Sequence, residues 1–245
     1  MGEAPQLSAL VSMNQNTIPL IRFDNVTKIY PGGMNALEGV NITIFPGEFI
    51  SLVGPSGAGK STFMKLIYAE EEPTEGTVYF KDRAIKDIPR HLLPFYRRNI
   101  GTVFQDYKLL PQKTVFENIA YALEVDGQPA KAIREEVSEI VDIVGLGSKA
   151  NKFPRELSGG EQQRVAIARA LIHHPTVICA DEPTGNLDPV STKDITDLLL
   201  EINSYGTTVI VATHKKEVVD AINRRVIAIQ DGHIAHDQAK SKYFL

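Results

Sequence analysis

Gly54-Pro55-Ser56-Gly57-Ala58-Gly59-Lys60-Ser61-Thr62 brings three glycines, one amine and three hydroxyls into a single short stretch. Without side chains at 54, 57 and 59 the backbone can curl with its N–H groups pointing inward, which makes a cradle for a polyphosphate. The stretch follows the apolar run Glu48–Val53 and precedes Thr62–Ala69. A buried strand should therefore feed the turn and a helix should leave it, adding the positive end of its dipole to the cradle. Lys60 would then reach the outer phosphates, and the Ser61 hydroxyl would ligate Mg²⁺.

A second set of groups lies far along the chain. The apolar run Val177–Ala180 delivers Asp181 and Glu182 to a strand end, where α/β sheets present their ligand groups. Asp181 is placed to hold Mg²⁺ through its water shell, and Glu182 to orient and deprotonate an attacking water. Taken alone the pair could equally be a solvated turn after a buried strand, but the phosphate cradle gives both carboxylates a task. Leu157-Ser158-Gly159-Gly160-Glu161-Gln162-Gln163-Arg164 opens a further helix, with the capping-box spacing from Ser158 to Glu161. A helix cap does not need paired glycines; Gly159 and Gly160 expose backbone N–H groups at a helix N-terminus, a second place for an anion. One triphosphate does not need two cradles from one subunit, so the pattern implies a head-to-tail pair in which each chain completes the other's site.

Elements that could position these groups follow from the apolar patterning. Short strands are expected over Leu20–Tyr30, Val40–Phe45 and Thr77–Lys81, with turns at Pro31-Gly32-Gly33 and Pro46-Gly47, forming an antiparallel flap near the N-terminus. Asn99–Phe104, Thr176–Ala180 and Thr207–Thr213 alternate with helical segments, which argues for a mostly parallel, helix-flanked sheet. From about 106 to 165 the signals are helical: a capping box at Thr114–Glu117, then Ile133, Val137, Ile140, Val141 and Val144 on one face of a helix ending near Gly145. This reads as a helical lobe inserted into an α/β core. Residues 1–17 are polar, small and aperiodic, and read as a disordered arm or an over-called start ahead of a single domain over 18–245. The tail past Gly232 is weakly patterned.

Composition narrows the class. The 245 residues are 43% hydrophobic and 23% charged with net charge −4, ordinary for a globular protein and without a basic stripe for nucleic acid. No apolar run approaches the roughly 18 residues of a membrane span, so the reading is no direct membrane insertion. Gln6 stands where a myristoylation motif after Met1-Gly2 needs Ser or Thr. The one cysteine, Cys179, sits in an apolar run and reads as a buried core thiol in a reducing setting.

The order of the phosphate loop, Gln105, LSGGEQQR, Asp181-Glu182, Gly185-Asn186-Leu187-Asp188 and His214 resembles the ATP-binding-cassette ATPases from about Ile18 to Gly232. The resemblance implies a P-loop NTPase core and a homodimer with ATP at its interface. It further implies that Tyr30 stacks on adenine, Gln105 senses the γ-phosphate and Mg²⁺, and Ser158 and Gly160 touch the partner's γ-phosphate. Asp188 would bridge the dimer and His214 would clamp the γ-phosphate. A lone His214 or a Tyr30 beside a turn could otherwise be packing alone. The segments Arg97-Arg98-Asn99-Ile100-Gly101, Val103-Phe104-Gln105-Asp106 and ADEPTGNLD are similar to the cell-division branch of that family. That branch implies an FtsX-like integral membrane partner, a place on the cytoplasmic face of the cell membrane through that partner, and control of cell-wall hydrolases. ADEPTGNLD is shared with the ATPases of lipoprotein-release and macrolide-export transporters, which are the alternative. An ATP-gated scaffold would need neither Lys60 nor the Asp181, Glu182 and His214 set. Asp106–Lys113 is the candidate surface for the membrane partner, and Lys215 departs from the aspartate that usually follows the switch histidine.

Overall fold

A computed structural model of the chain describes residues 18–239. Two sheets organise it. β1 (Ile21–Tyr30), β2 (Met34–Ile44), β4 (Glu75–Phe80) and β5 (Arg83–Ala84) form an antiparallel sheet in the order β2-β1-β4-β5. β3 (Phe49–Val53), β6 (Ile100–Phe104), β7 (Val177–Asp181), β8 (Thr208–Ala212), β9 (Arg225–Gln230) and β10 (His233–Gln238) form the second, in the order β10-β9-β3-β8-β7-β6. In it β9, β3, β8, β7 and β6 are parallel neighbours and β10 is an antiparallel edge. The expected class, a mostly parallel core with an antiparallel flap and an inserted helical lobe, is what the chain adopts.

Every residue of β3 and β8 is buried, as central strands covered on both faces must be. Alternation sorts the side chains of β7: Ile178 and Ala180 join the core under the helices that follow β6, whereas Val177 and Cys179 join the core beneath the antiparallel sheet. Burial pushes the Cys179 thiol well above its ordinary range, so it stays protonated in that core.

The helices are α1 (Lys60–Ile67), α2 (Leu93–Arg97), α3 (Val115–Val125), α4 (Ala130–Ile143), α5 (Gly159–Leu171), α6 (Pro189–Ser204) and α7 (Lys216–Ile222). Between β6 and β7 lie α3, α4 and α5, packed on one another through Ile119, Ile133, Val137, Ile140 and Val165. Thr114 caps α3 in a reciprocal box, its Oγ1 accepting from Glu117 N at 3.2 Å and its own N–H donating to Glu117 Oε2 at 2.7 Å. Gly101 lets β6 lie against α5; a Cβ there would stand 2.6 Å from the carbonyl oxygen of Ala170.

Several elements differ from the sequence expectation. β2 begins at Met34 rather than Val40, because pairing across the Pro31–Gly33 turn supplies backbone partners from Tyr30 and Ile29 to a stretch without clean alternation. The tail past Gly232 forms β10, whose mostly exposed side chains carry no apolar signal; it is held by its ladder to β9 and by Arg225 reaching Asp237 at 2.7 Å. β9 and α7 complete the sheet and its cover although no separate strand or helix is expected there. Residues 1–17, read as an arm, lie outside the described residues.

Candidate nucleotide site

The loop after β3 and the N-terminus of α1 form the floor of a cleft of about 950 Å³. Two of its glycines are fixed by close approach as well as by φ. Gly54 has φ +152° and a Cβ there would meet Ile229 O at 2.2 Å; Gly59 has φ +110° and a Cβ there would meet Ala36 O at 2.3 Å. Thus β9 and β2 press on the loop from either side, and only glycine allows both contacts. Ser56, Gly57, Lys60, Ser61 and Thr62 line the cleft. Pro55 belongs to the loop through its carbonyl, and Ala58 through its N–H, which donates to Pro55 O at 3.2 Å. The Lys60 ammonium is buried and donates to Gly54 O at 2.7 Å and Pro55 O at 2.9 Å. It is a cation hydrogen-bonded to two neutral acceptors, in a cleft where the Asp181 carboxylate is close enough for the two charges to attract.

The opposite wall is built from strand ends. β7 presents Asp181, β6 presents Gln105 just past Phe104, and the segment after β8 presents His214, all lining the same cleft with Glu182. Burial holds the Asp181 carboxyl above the usual carboxylate range, opposed by a hydrogen bond from Ser61, with the neighbouring Glu182 charge raising it further. A hydroxyl and a carboxylate in contact are hard oxygen donors, of the kind that would hold Mg²⁺ directly or through its water shell. Among the described residues no cluster of three His, Cys, Asp or Glu forms a cage for a metal by itself.

Glu182 sits at φ +48°, its N–H donating to Ala212 O at 2.9 Å. Its Oε1 lies 2.7 Å from His214 Nδ1, and its Oε2 is buried without a partner among the described residues. A buried carboxylate oxygen without a partner is an unused acceptor, able to take a hydrogen bond or a proton once a water reaches it.

Gln105 has a partner that sequence reasoning passed over. Its Nε2 donates to Asn186 Oδ1 at 3.1 Å, and Asn186 Nδ2 donates back to Gln105 O at 3.3 Å. Gly185 leaves the room for this; a Cβ there would stand 2.8 Å from Gln105 Nε2. The Gly-Asn-Leu-Asp segment drew attention for Asp188 alone, and a polar residue after a glycine in that turn was the available signal. Met34, Asn35, Ala36 and Lys108 line the cleft as well, brought in by the hairpin and by the turn after β6.

Five expected site residues away from the phosphate loop stand outside the cleft lining. Tyr30 lies beside it, its hydroxyl 3.4 Å from Thr62 Oγ1 and its ring 5.0 Å from Lys28 Nζ. Ser158 caps α5, its Oγ accepting from Glu161 N at 3.3 Å. Gly159 and Gly160 are close-packed, with Cβ positions 3.1 Å from Tyr107 Oη and 2.9 Å from Ser191 Oγ. Asp188 caps α6, accepting from Val190 N, Ser191 N and Ser191 Oγ at 2.9, 3.0 and 2.6 Å, and these bonds hold its carboxyl below the usual range.

The ABC transporter family model matches residues 37–185. A Bacillus subtilis (strain 168) protein named cell division ATP-binding protein FtsE is 53% identical over 224 residues, covering 91% of this chain and 98% of the relative. The Escherichia coli (strain K12) protein of the same name is 46% identical over 215 residues, covering 88% of this chain and 97% of the relative. Among solved structures, the ATP-binding cassette MJ0796, described as a dimeric post-hydrolysis state bound to ADP and Pi, superposes with a TM-score of 0.81. It is 38% identical and covers 91% of this chain and 100% of its own. The glycine loop pressed between β2 and β9, the strand-end carboxylates facing it, and identity of this extent lead to one conclusion: the chain belongs to the ABC transporter family of ATPases, in its FtsE group of cell-division ATP-binding proteins.

Proposed function

We propose that two copies of this chain, facing in opposite directions, close around two Mg-ATP and that hydrolysis reopens them. The motion would drive an FtsX-like integral membrane protein in cell division and cell-wall hydrolase control, with the ATPase on the cytoplasmic face of the membrane through that partner. Residues 18–245 act in this reading as one nucleotide-binding domain. The observation that carries it is that Ser158, Gly159 and Gly160 form a helix N-terminus outside the cleft that their own chain presents to a nucleotide. MJ0796 is described as dimeric, which agrees.

Within the closed pair, the backbone of residues 54–62 and Lys60 bind the phosphates, Tyr30 stacks on the base, and Ser158 with Gly160 meets the other copy's γ-phosphate. Ser61, Gln105 and Asp181 hold Mg²⁺, which when bound neutralises developing charge on the β- and γ-oxygens. Glu182 takes a proton from the attacking water while His214 holds its Oε1. Asp188 stands at the dimer face. Asp106–Lys113 meets the membrane partner; its backbone is pinned to the lobe by Asn118, which bonds Leu110 in both directions, and by Arg169 donating to Lys108 O at 2.8 Å.

The deciding experiment is light scattering on Glu182→Gln with and without Mg-ATP. The amide keeps the shape of the site but cannot take the proton, so an ATP-dependent dimer should accumulate and turnover should fall by about 10²–10⁴. A strictly monomeric variant under saturating Mg-ATP would rule the closed pair out.

A further inference from the structure

We propose that Lys215 is a positioning residue for the catalytic turn, a strap that an aspartate at this place could not supply. Lys215 follows His214 directly and reaches back across 31 residues, its ammonium donating to the carbonyl of Thr184 at 2.6 Å. The same carbonyl accepts from Leu187 N at 3.2 Å. The segment from Glu182 to Leu187 is therefore fastened to the end of β8 at three places: Glu182 N to Ala212 O, the Glu182 carboxylate to His214, and the Thr184 carbonyl to Lys215. Lys215 is itself anchored, its N–H donating to Thr213 Oγ1 at 3.1 Å, and it lines a groove together with Leu187, Thr192, Val218 and Ala221.

The turn's own bonds, Gly185 N to Glu182 O at 3.0 Å and Leu187 N to Thr184 O at 3.2 Å, close only on its own backbone, so its position against β8 depends on the fastening. Glu182 is a non-glycine residue in the left-handed region, and both its Oε2 and the Thr184 hydroxyl are buried without partners. A carboxylate held at one oxygen can swing, and a general base loses rate when its geometry is loose. A lysine donates a charge-assisted bond to a carbonyl, whereas an aspartate has no donor and a side chain two atoms shorter. The strap also ties the base to the segment leading into Asp188, so the turn, the histidine and the proposed dimer face move as one piece.

This inference rests on the reading of Glu182 as the base, and the test separates the two. Mg-ATP turnover is measured for the full chain, alone or with its membrane partner, whichever preparation turns over, in Lys215→Met, Lys215→Arg, Glu182→Gln and the Lys215→Met/Glu182→Gln pair. Lys215→Met should lower kcat about tenfold, with KM, nucleotide affinity and Tm unchanged, and Lys215→Arg should restore most of the loss. Amide exchange at residues 185–187 should quicken in Lys215→Met and nowhere else, and adding Lys215→Met to Glu182→Gln should cost nothing more. Normal kcat in Lys215→Met beside a crippled Glu182→Gln overturns the strap and leaves the base intact. A fall in Tm and nucleotide affinity together with kcat overturns it as well, making Lys215 a support of the fold. Normal turnover in Glu182→Gln removes the base, and the positioning role goes with it.

Discussion

Among the described residues the Glu182 carboxylate is held at one oxygen: Oε1 lies 2.7 Å from His214 Nδ1, and Oε2 is buried with no partner of its own. The histidine is mostly exposed, with 64% of its side-chain surface accessible, while the glutamate keeps 15%. So the imidazole can leave for a phosphate oxygen more readily than the carboxylate can move. Removing the ring by His214→Ala leaves both carboxylate oxygens unsupported. Turnover should fall by roughly 10²–10³. Because the two groups act as a unit, His214→Ala/Glu182→Gln should be no slower than the slower single variant. Steady-state hydrolysis of the four proteins checks this, and multiplicative losses would show that the two side chains work separately.

Asp181 gives a pH-dependent prediction of definite sign. Burial is the largest cause of its raised pKa, so the folded chain without nucleotide disfavours the ionised carboxylate. A carboxyl whose folded pKa lies above its unfolded value adds stability below the unfolded value, and that stability is lost as pH rises through the folded pKa. Replacing it with a neutral isostere should thus help at neutral pH and not in acid. Asp181→Asn should raise Tm at pH 7 without nucleotide, and the gain should vanish as pH falls to the ordinary carboxylate range near 4. The same variant should lose Mg²⁺-dependent ATP turnover. Thermal melts from pH 4 to 8 are the measurement, and a gain that persists unchanged in acid would mean that desolvation of Asp181 is not its source.

What the sequence made legible was local. The phosphate loop, the strand before it, the cap at Thr114 and the carboxylates after Val177–Ala180 depend on neighbours within a few residues, where glycine, hydroxyl and apolar spacing carry direct physical meaning. Contacts between distant segments were not legible. Asn186 finds Gln105 across 81 residues, and Lys215 finds Thr184 across 31, through strand order that no single segment encodes. β10 was missed for another reason: an edge strand earns its place by backbone pairing, so its side chains need not be apolar. Ser158 caps α5 as its spacing to Glu161 predicts, whereas the cap that Asp188 makes on α6 carries no signal in the reading of Asp188 as a dimer group.

Tyr30 separates stacking from packing. Its ring stands beside the cleft, and its hydroxyl is 3.4 Å from Thr62 Oγ1, a long and weak contact. If the ring is a platform for adenine, Tyr30→Ala should weaken ATP binding by about 1–3 kcal/mol. Affinity for Mg-tripolyphosphate, which has no base, should stay the same. Calorimetric titration of both ligands makes the comparison, and equal losses for the two would return Tyr30 to a role in packing the loop.

The paired glycines at the start of α5 have two reasons to be glycine, and one substitution pair tells them apart. A Cβ at Gly160 would lie 2.9 Å from Ser191 Oγ and 3.1 Å from Ser191 Cβ, and that hydroxyl is already committed to Asp188 Oδ2 at 2.6 Å. Gly160→Ala should therefore push α5 away from α6 and cost about 1–3 kcal/mol, with Tm falling roughly 2–4 °C for each. Ser191→Gly removes the obstructing atoms, so the Gly160→Ala/Ser191→Gly pair should regain most of the lost Tm. If Gly160 also presents its backbone to the other copy's γ-phosphate, the added methyl still intrudes on the dimer face. The pair should then remain poor at forming an ATP-dependent dimer when built on the Glu182→Gln background. Recovery of both Tm and dimer would assign the glycine to helix packing alone, and would return the case for a second anion cradle to Ser158 and Gly159.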